Sequence, residues 1–406
     1  MDNRSWDKEI KSDISVKVIS FFISPFLSFL YSLRRINTKS SYVVFFLFAL
    51  FYGLCYTVLA DEGNVIESSD ASKWRARFED RAISTWEDYI SYIVFFFSRS
   101  TDDGDFTDFY FPTIALVVNQ FSHNYHVFFF TIALVFSFFQ LKSFRFLTKN
   151  PYFDNSLFCV LLCVFFNFND ISNIGGFRFC TAAWIGVFSL LQIYINNNKW
   201  YYLVFLFMPL IHRGFFFMYP VILLALLTKK KKFWVIAFYG SIFLSSLSLI
   251  ILQNASNYMP SFLSHMVESY ASNSNSEEYS FTKYMLITIS TLYVNALLFL
   301  SLKARNKLKA ENLKDLLDFT LLFMAIINFS MAMPSVGVRF ILMAEPLIAI
   351  LFLNAYGQYK KNIAIIYFMP LFMIRALYVG IFSFFRYQDL EFFVMNPIYL
   401  VYSHLQ

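Results

Sequence analysis

The sequence predicts an all-α polytopic membrane protein of about eleven transmembrane helices, within a range of 10 to 12, and three observations carry that expectation. Of its 406 residues 58% are hydrophobic and only 15% charged, a balance outside the usual soluble range. Apolar runs recur from residue 42 to near residue 385 with short polar breaks between them, each long enough to cross about 30 Å of hydrocarbon, roughly 17 to 25 residues. Runs such as YVVFFLFALFYGLCYTVLA do not alternate, as the segments of about ten residues in a membrane β-barrel must. The spans are therefore helices, and residues 1–406 form one integral membrane domain.

Lysines and arginines in short loops report the cytoplasmic side. The basic breaks are RRINTK (34–39), LKSFRFLTK (141–149), NNNK (196–199), TKKKK (228–232), KARNKLKAENLK (303–314) and KK (360–361). With these inside, spans fall at 41–60, 124–141, 153–170, 176–195, 200–213, 214–228, 233–253, 282–302, 315–332, 338–356 and 362–383, and each passage alternates in direction. The poly-Lys run is read as a topology anchor.

Residues 1–40 form a cytoplasmic or interfacial N-terminal segment. Its first twenty residues are polar and mixed in charge, unlike a cleavable signal peptide. The stretch 14–33 would export Lys8 and Lys11 if it spanned, so it is expected to lie as a helix along the inner surface. The external regions are residues 61–123, residues 254–281 and a tail from about 384. The first holds twelve Asp and Glu against five Lys and Arg. It also contains YISYIVFFF (89–97) and FPTIALVVNQF (111–121), too short to span and so read as re-entrant or interfacial helices.

Cys55, Cys159, Cys163 and Cys180 fall in or beside spans; with no His nearby, they read as packing residues rather than metal ligands. There is no constant-period repeat and no P-loop, GxGxxG or HExxH motif. Nothing in the pattern suggests ATP hydrolysis or nucleic-acid recognition, and no cofactor is required.

Topology leaves eleven basic residues outside or in the outer leaflet: Lys73, Arg75, Arg77, Arg81, Arg99, Arg178, Arg213, Lys283, Arg339, Arg375 and Arg386. Nine of them are arginines, whereas the inner loops from residue 142 onward are dominated by lysine, so topology alone does not account for them. Arg178 sits near the outer start of one span, His212 and Arg213 at the outer end of another, and Arg339 at the outer start of a third. Arg375 lies about 20 Å from the inner end of the eleventh span at about 1.5 Å per residue. Each such charge costs roughly 2.5 kcal/mol or more unless it faces water or an anion. Asp170 and Glu345 are the acids expected at that depth, too few to match, so an anionic ligand is the economical partner. Arginine's paired donors suit a phosphate, most simply a lipid-linked diphosphate.

The segment DFTDFYF (105–111), then GGFRFCTAAW, then LFMPLIHRG, and later VGVRFILMAEP resemble the EpsG and Wzy-type polysaccharide polymerases, membrane glycosyltransferases of the GT-C superfamily. The resemblance covers roughly residues 40 to 380. Members often show Arg-Gln and His-x-Ser, whereas this chain has Arg178-Phe179 and His212-Arg213-Gly214. The resemblance implies an enzyme of the bacterial inner membrane, acting at the periplasmic face in O-antigen or exopolysaccharide synthesis. A growing glycan on undecaprenyl diphosphate would be transferred to a second lipid-linked repeat unit. It implies as partners these two lipid-linked oligosaccharides, the bilayer and a chain-length regulator protein.

Under that reading Arg178, Arg339 and His212 are the catalytic candidates, with His212 the first choice of general base. Arg99, Arg213 and Arg375 would assist in holding the diphosphate. Asp102, Asp103, Asp105 and Asp108 would position the acceptor, serve as the base or recruit a divalent metal, although their spacing is not that of a calcium loop. An O-antigen ligase and a lipid-linked oligosaccharide flippase are the alternatives. A flippase needs charges lining a path to both leaflets, whereas the arginines here gather on one side.

Overall fold

The computed structural model describes residues 6–58, 70–81, 83–98, 108–153, 170–228, 231–247, 281–331, 334–357 and 388–405 in continuous stretches, and residues 250–251, 254, 258, 369–371, 373–374 and 377 besides. Among these, every regular element is a helix. The first seven are α1 (Lys11–Ile23), α2 (Pro25–Ser32), α3 (Lys39–Leu54), α4 (Asp70–Glu79), α5 (Trp86–Ser98), α6 (Tyr110–Asn119) and α7 (Tyr125–Thr148). Then come α8 (Phe177–Tyr194), α9 (Tyr202–Ile211), α10 (Met218–Leu227), α11 (Lys231–Leu244), α12 (Phe281–Lys303), α13 (Glu311–Ser330) and α14 (Pro334–Tyr356). Two short helices, α15 (Leu390–Val394) and α16 (Pro397–Leu405), follow.

Four stretches are long and apolar enough to cross a membrane: Tyr125–Thr148, Ile171–Tyr194, Tyr284–Lys303 and Val336–Tyr356. The chain is a helical membrane protein. The span expected at 153–170 and most of that at 362–383 lie outside the described residues, as do residues 61–69 and nearly all of 254–280.

Ring contacts and loop hydrogen bonds set the direction of the helices. Phe128 meets Phe177 at 5.7 Å and Phe139 meets Phe188 at 5.8 Å, so α7 and α8 run parallel. At their shared end Asn37 Nδ2 donates to the Thr148 carbonyl, and Asn312 Nδ2 donates to the Ile195 carbonyl. The breaks at 34–39, 142–149, 196–199 and 303–314 thus gather at one basic end. At the far end α3 packs against α7 so closely that a Cβ on Gly53 would stand 2.5 Å from the Ala133 methyl and 2.7 Å from the Phe129 carbonyl oxygen. Glycine is what allows the two backbones to approach.

The helical stretches found at the expected spans 200–213 and 214–228 are short ones. The helical stretches Lys199–Ile211 and Arg213–Leu227 are each about 20 Å long at ~1.5 Å per residue, less than the ~30 Å of hydrocarbon. Both stop at His212, whose extended backbone (φ −155°, ψ 118°) breaks the helix while its ring accepts the Gly214 N–H.

The N-terminal stretch is a helical hairpin rather than a single surface helix. Lys17, buried, donates to Asp13, Thr38 and Ser40 at the start of α3, and Phe21 reaches Phe51 higher up. Ser24 then turns the chain, and α2 returns along α3 through Phe26 to Phe48 and Phe29 to Phe45. The reason is local: Pro25 cannot continue α1, and the Ser24 hydroxyl accepts the Phe26 and Leu27 N–H groups as an N-cap. A second broken element meets it from the far end. Gln388 Nε2 donates to the Tyr52 carbonyl, the Phe393 carbonyl accepts from the Ser24 hydroxyl at 2.9 Å, and α16 runs back until the His404 carbonyl accepts from Asn124. Backbone that breaks at membrane depth needs such partners.

Deep in the other half of the bundle, Asn295 on α12 and Asn328 on α13 exchange amide hydrogen bonds of 2.8 and 2.9 Å, with Ser241 of α11 3.3 Å from Asn328. Helices α4, α5 and α6 cap the end of the bundle away from the basic breaks. Trp74 and Phe78 of α4 are buried against the bundle, and α5 and α6 pair through Tyr92, Phe96, Phe109 and Leu116.

Candidate active site

Three arginines at the far end each stand one or two residues before a phenylalanine, and those rings bring them together. Arg178 begins α8, Arg213 opens the 3-10 turn Arg213–Phe217 between α9 and α10, and Arg339 lies in the second turn of α14. Phe179, Phe215 and Phe340 close a triangle with centroid separations of 5.3, 5.4 and 5.5 Å. Phe215 is fully buried and the other two nearly so, so aromatic packing fixes the mutual placement of three helix ends. His212 meets the edge of Phe179 at 5.3 Å. The charges of Arg178, Arg339 and Arg213 all act on its ring.

Arg178 does not stand alone. Its Nη1 donates to Asp108 Oδ2 at 2.7 Å, and its guanidinium lies 4.1 Å from the Trp74 ring centre. Asp108 is 1% exposed. The backbone around it is tied down, with Tyr92 O–H donating to the Asp108 carbonyl and Phe109 N–H to the Leu210 carbonyl. The N–H groups of Tyr110 and Phe111, at the start of α6, point at its carboxylate. Burial nevertheless outweighs Arg178 and these donors, and pushes the Asp108 carboxyl up to about 6 from 3.8. Asp108 therefore adds an acid at a depth where the sequence suggested only Asp170 and Glu345, because the loop before α6 folds down into the bundle. Asp170 instead caps the turn Ile171–Gly176 through the Ser172 N–H, and Glu345 is fully buried within α14.

Arg213 and Arg339 are exposed and have no ion-pair partner among the described residues. His212 Nδ1 accepts from Gly214 N–H at 3.1 Å, so the neutral ring carries its hydrogen on Nε2. From Tyr194 to Arg178 is about 24 Å along α8 at ~1.5 Å per residue. The cluster therefore lies at the end of α8 opposite the basic breaks.

The other candidates separate. Arg99, Asp102, Asp103, Asp105 and Arg375 lie outside the described residues. Arg75 is held by Glu79, the Val58 carbonyl and the face of Tyr125, and Arg77 lies over Trp74, so protein partners account for these two. Sequence reading missed Trp74, Tyr92 and the phenylalanine triangle. The signal that could have found the triangle is the recurrence of arginine just ahead of phenylalanine at 178–179, 213–215 and 339–340.

A protein-family model, described as the EpsG family, matches residues 78–403, a stretch that includes Asp108, Arg178, His212, Arg213 and Arg339. No curated protein and no solved structure matches the chain.

Proposed function

The chain belongs to the EpsG family, which supports a polymerase-type role in polysaccharide synthesis, and from that premise we propose that it is a membrane glycosyltransferase joining lipid-linked glycans at the outer face of the cell membrane. In this reading the donor is a growing glycan on undecaprenyl diphosphate and the acceptor a second lipid-linked repeat unit. The eleven-span topology, with a GT-C-like arrangement and the basic end in the cytoplasm, belongs to the same proposal. What carries it is the convergence of Arg178, Arg213 and Arg339 on His212 at one membrane boundary, where the diphosphate of a lipid would lie.

The acceptor hydroxyl attacks the donor's anomeric carbon, the bond from that carbon to the diphosphate oxygen breaks, and the hydroxyl proton passes to a base. We place the base at Asp108, whose pKa near 6 suits proton transfer near neutrality. His212 offers Nε2–H as a donor to the leaving diphosphate. When Asp108 accepts the proton it loses its hold on Arg178 just as charge builds on the leaving group. The arginine's charge then becomes available to the transition state rather than the ground state, the condition for raising the rate. Arg213 and Arg339 hold the diphosphate throughout.

The test is the glycan profile of a deletion strain. Lipid A core carrying a single repeat unit, with the long ladder restored by the wild-type gene but not by Arg178→Lys, is the expected result. Undecorated core with accumulated long polymer would instead identify a ligase.

A further inference from the structure

Trp74, in the second turn of α4, is 3% exposed and lies among the elements that carry the site. Its ring centre is 4.7 Å from that of Phe111 on α6 and 6.2 Å from that of Phe177, the first residue of α8. The guanidinium carbons of Arg178 and Arg77 stand over the same ring at 4.1 and 4.9 Å. Any large apolar side chain would fill the space between α6 and α8. An indole adds the aromatic face that attracts a cation most strongly, and two cations lie over it.

The ring has a fixed seat. Arg75, the next residue, donates to the Val58 carbonyl at 2.6 Å and to Glu79 at 2.8 Å, and lies over the Tyr125 ring at 3.7 Å. One turn on, Phe78 stacks on Phe128 of α7 at 4.8 Å. These contacts tie α4 to the chain after α3 and to the start of α7, so the indole does not follow the arginine if the arginine moves.

Asp108 and Trp74 hold Arg178 by different means. The bond from Nη1 to Asp108 Oδ2, 2.7 Å long, is charge-assisted and weakens when the carboxyl takes a proton. The attraction of an indole for a guanidinium does not depend on the protonation of a neighbouring acid. The Arg178 side chain is 17% exposed, which gives its long stem an open side toward which to swing.

On the reading that Arg178 serves glycan transfer, we propose that Trp74 is its positioning residue: the indole keeps the guanidinium in place throughout the reaction, so that its charge stays at the site when Asp108 takes up the acceptor's proton. Trp74 touches no reacting atom in this assignment. Its removal has two effects, because Arg178 acts on both the leaving group and Asp108. Burial lifts the Asp108 carboxyl to about 6 while Arg178 opposes the rise, and a looser Arg178 opposes it less. A weakened ring therefore lowers turnover and also moves the acid limb of the pH profile up toward neutrality. Lost packing alone does only the first.

The test changes the ring's electrostatics and keeps its shape. Tryptophan bearing one, two or three fluorines is placed at residue 74 of the full chain by nonsense suppression, since fluorine withdraws electron density and weakens the hold on a cation. Ladder formation from lipid-linked repeat units, measured in membranes from pH 5 to 8, should fall in steps with fluorine number, to about 2- to 30-fold below wild type, the span of cation–π contacts. The acid limb should climb from about pH 6 in the same order. Trp74→Phe should hold the limb closer to its wild-type position than Trp74→Leu. The same fluorines at Trp200, 78% exposed at the basic end, should change neither quantity. An acid limb that stays in place through the fluorine series, or turnover that does not follow fluorine number, would overturn the positioning role and return Trp74 to packing. If the wild-type chain itself forms no ladder, the transfer reading falls and takes this role with it.

Discussion

Arg178 and Asp108, seventy residues apart in sequence, form an ion pair of 2.7 Å in which the carboxylate is almost fully buried and the guanidinium remains partly open. Because burial raises the Asp108 pKa to about 6, transfer activity should fall as pH drops through about 6, when the base becomes protonated. Asp108→Asn should reduce turnover by about 10²- to 10⁴-fold and remove that acid limb, as followed by ladder formation in membranes across pH 5 to 8. The stability effect has its own sign. The folded state holds this proton between about pH 4 and 6 when the unfolded chain does not, so stability falls as pH rises through that window. Asp108→Asn should flatten the slope.

His212 distinguishes a donor from a base. His212→Ala should lower turnover by about 10²- to 10³-fold, the scale of losing one donor to developing charge. His212→Gln, which keeps an N–H but cannot accept a proton, should recover most of it. If glutamine were as inactive as alanine at matched expression, the donor role would be wrong.

The phenylalanine triangle predicts a separation of fold from activity. Phe340→Leu, close in volume, should cost less than about 1.5 kcal/mol of stability, yet should cut polymerisation because Arg339 loses its fixed seat. Phe340→Ala should cost about 3 kcal/mol or more. Melting temperature and ladder length, measured on the same preparations, check both.

The Asn295–Asn328 exchange should appear as coupling. In a double-mutant cycle with alanine at each position, read by detergent unfolding, the interaction energy should fall at about 0.6 to 1.7 kcal/mol, as for hydrogen bonds between membrane helices. Additive effects would mean the pair contributes no specific stability.

For topology, Asn197→Cys and Gln120→Cys, both exposed, are placed in a background without native cysteines. An impermeant thiol reagent on intact spheroplasts should label residue 120 and spare residue 197, the outcome required if the basic end is cytoplasmic.

Much of the architecture was legible because it rests on period and charge. The apolar runs marked the helices, and the basic breaks at 34–39, 142–149, 196–199 and 303–314 do share one end. Local breaks and burial were not legible. Residue counts already made the stretches on either side of His212 short, but the extended backbone that parts them at that residue was not visible in the sequence. Among the clustered acids, nothing local singled out Asp108, which is distinguished by a loop anchored to Leu210 over a hundred residues away. Arg75 and Arg178 looked alike as outer arginines, and only their neighbours, Glu79 and Tyr125 for one and Asp108 and Trp74 for the other, tell them apart.

The hydrogen bond from Ser24 to the Phe393 carbonyl spans 369 positions of the chain, which gives it a place in the order of biosynthesis. The N-terminal hairpin leaves the ribosome early, yet its tip lacks the acceptor for Ser24 and the ring that packs on Phe26 until Phe393 has been made. At about 5 to 20 residues per second, that interval is roughly 20 to 75 s. During it the hairpin has to hold on its own contacts with α3, and the arrival of residues 388–405 is the event that completes its packing.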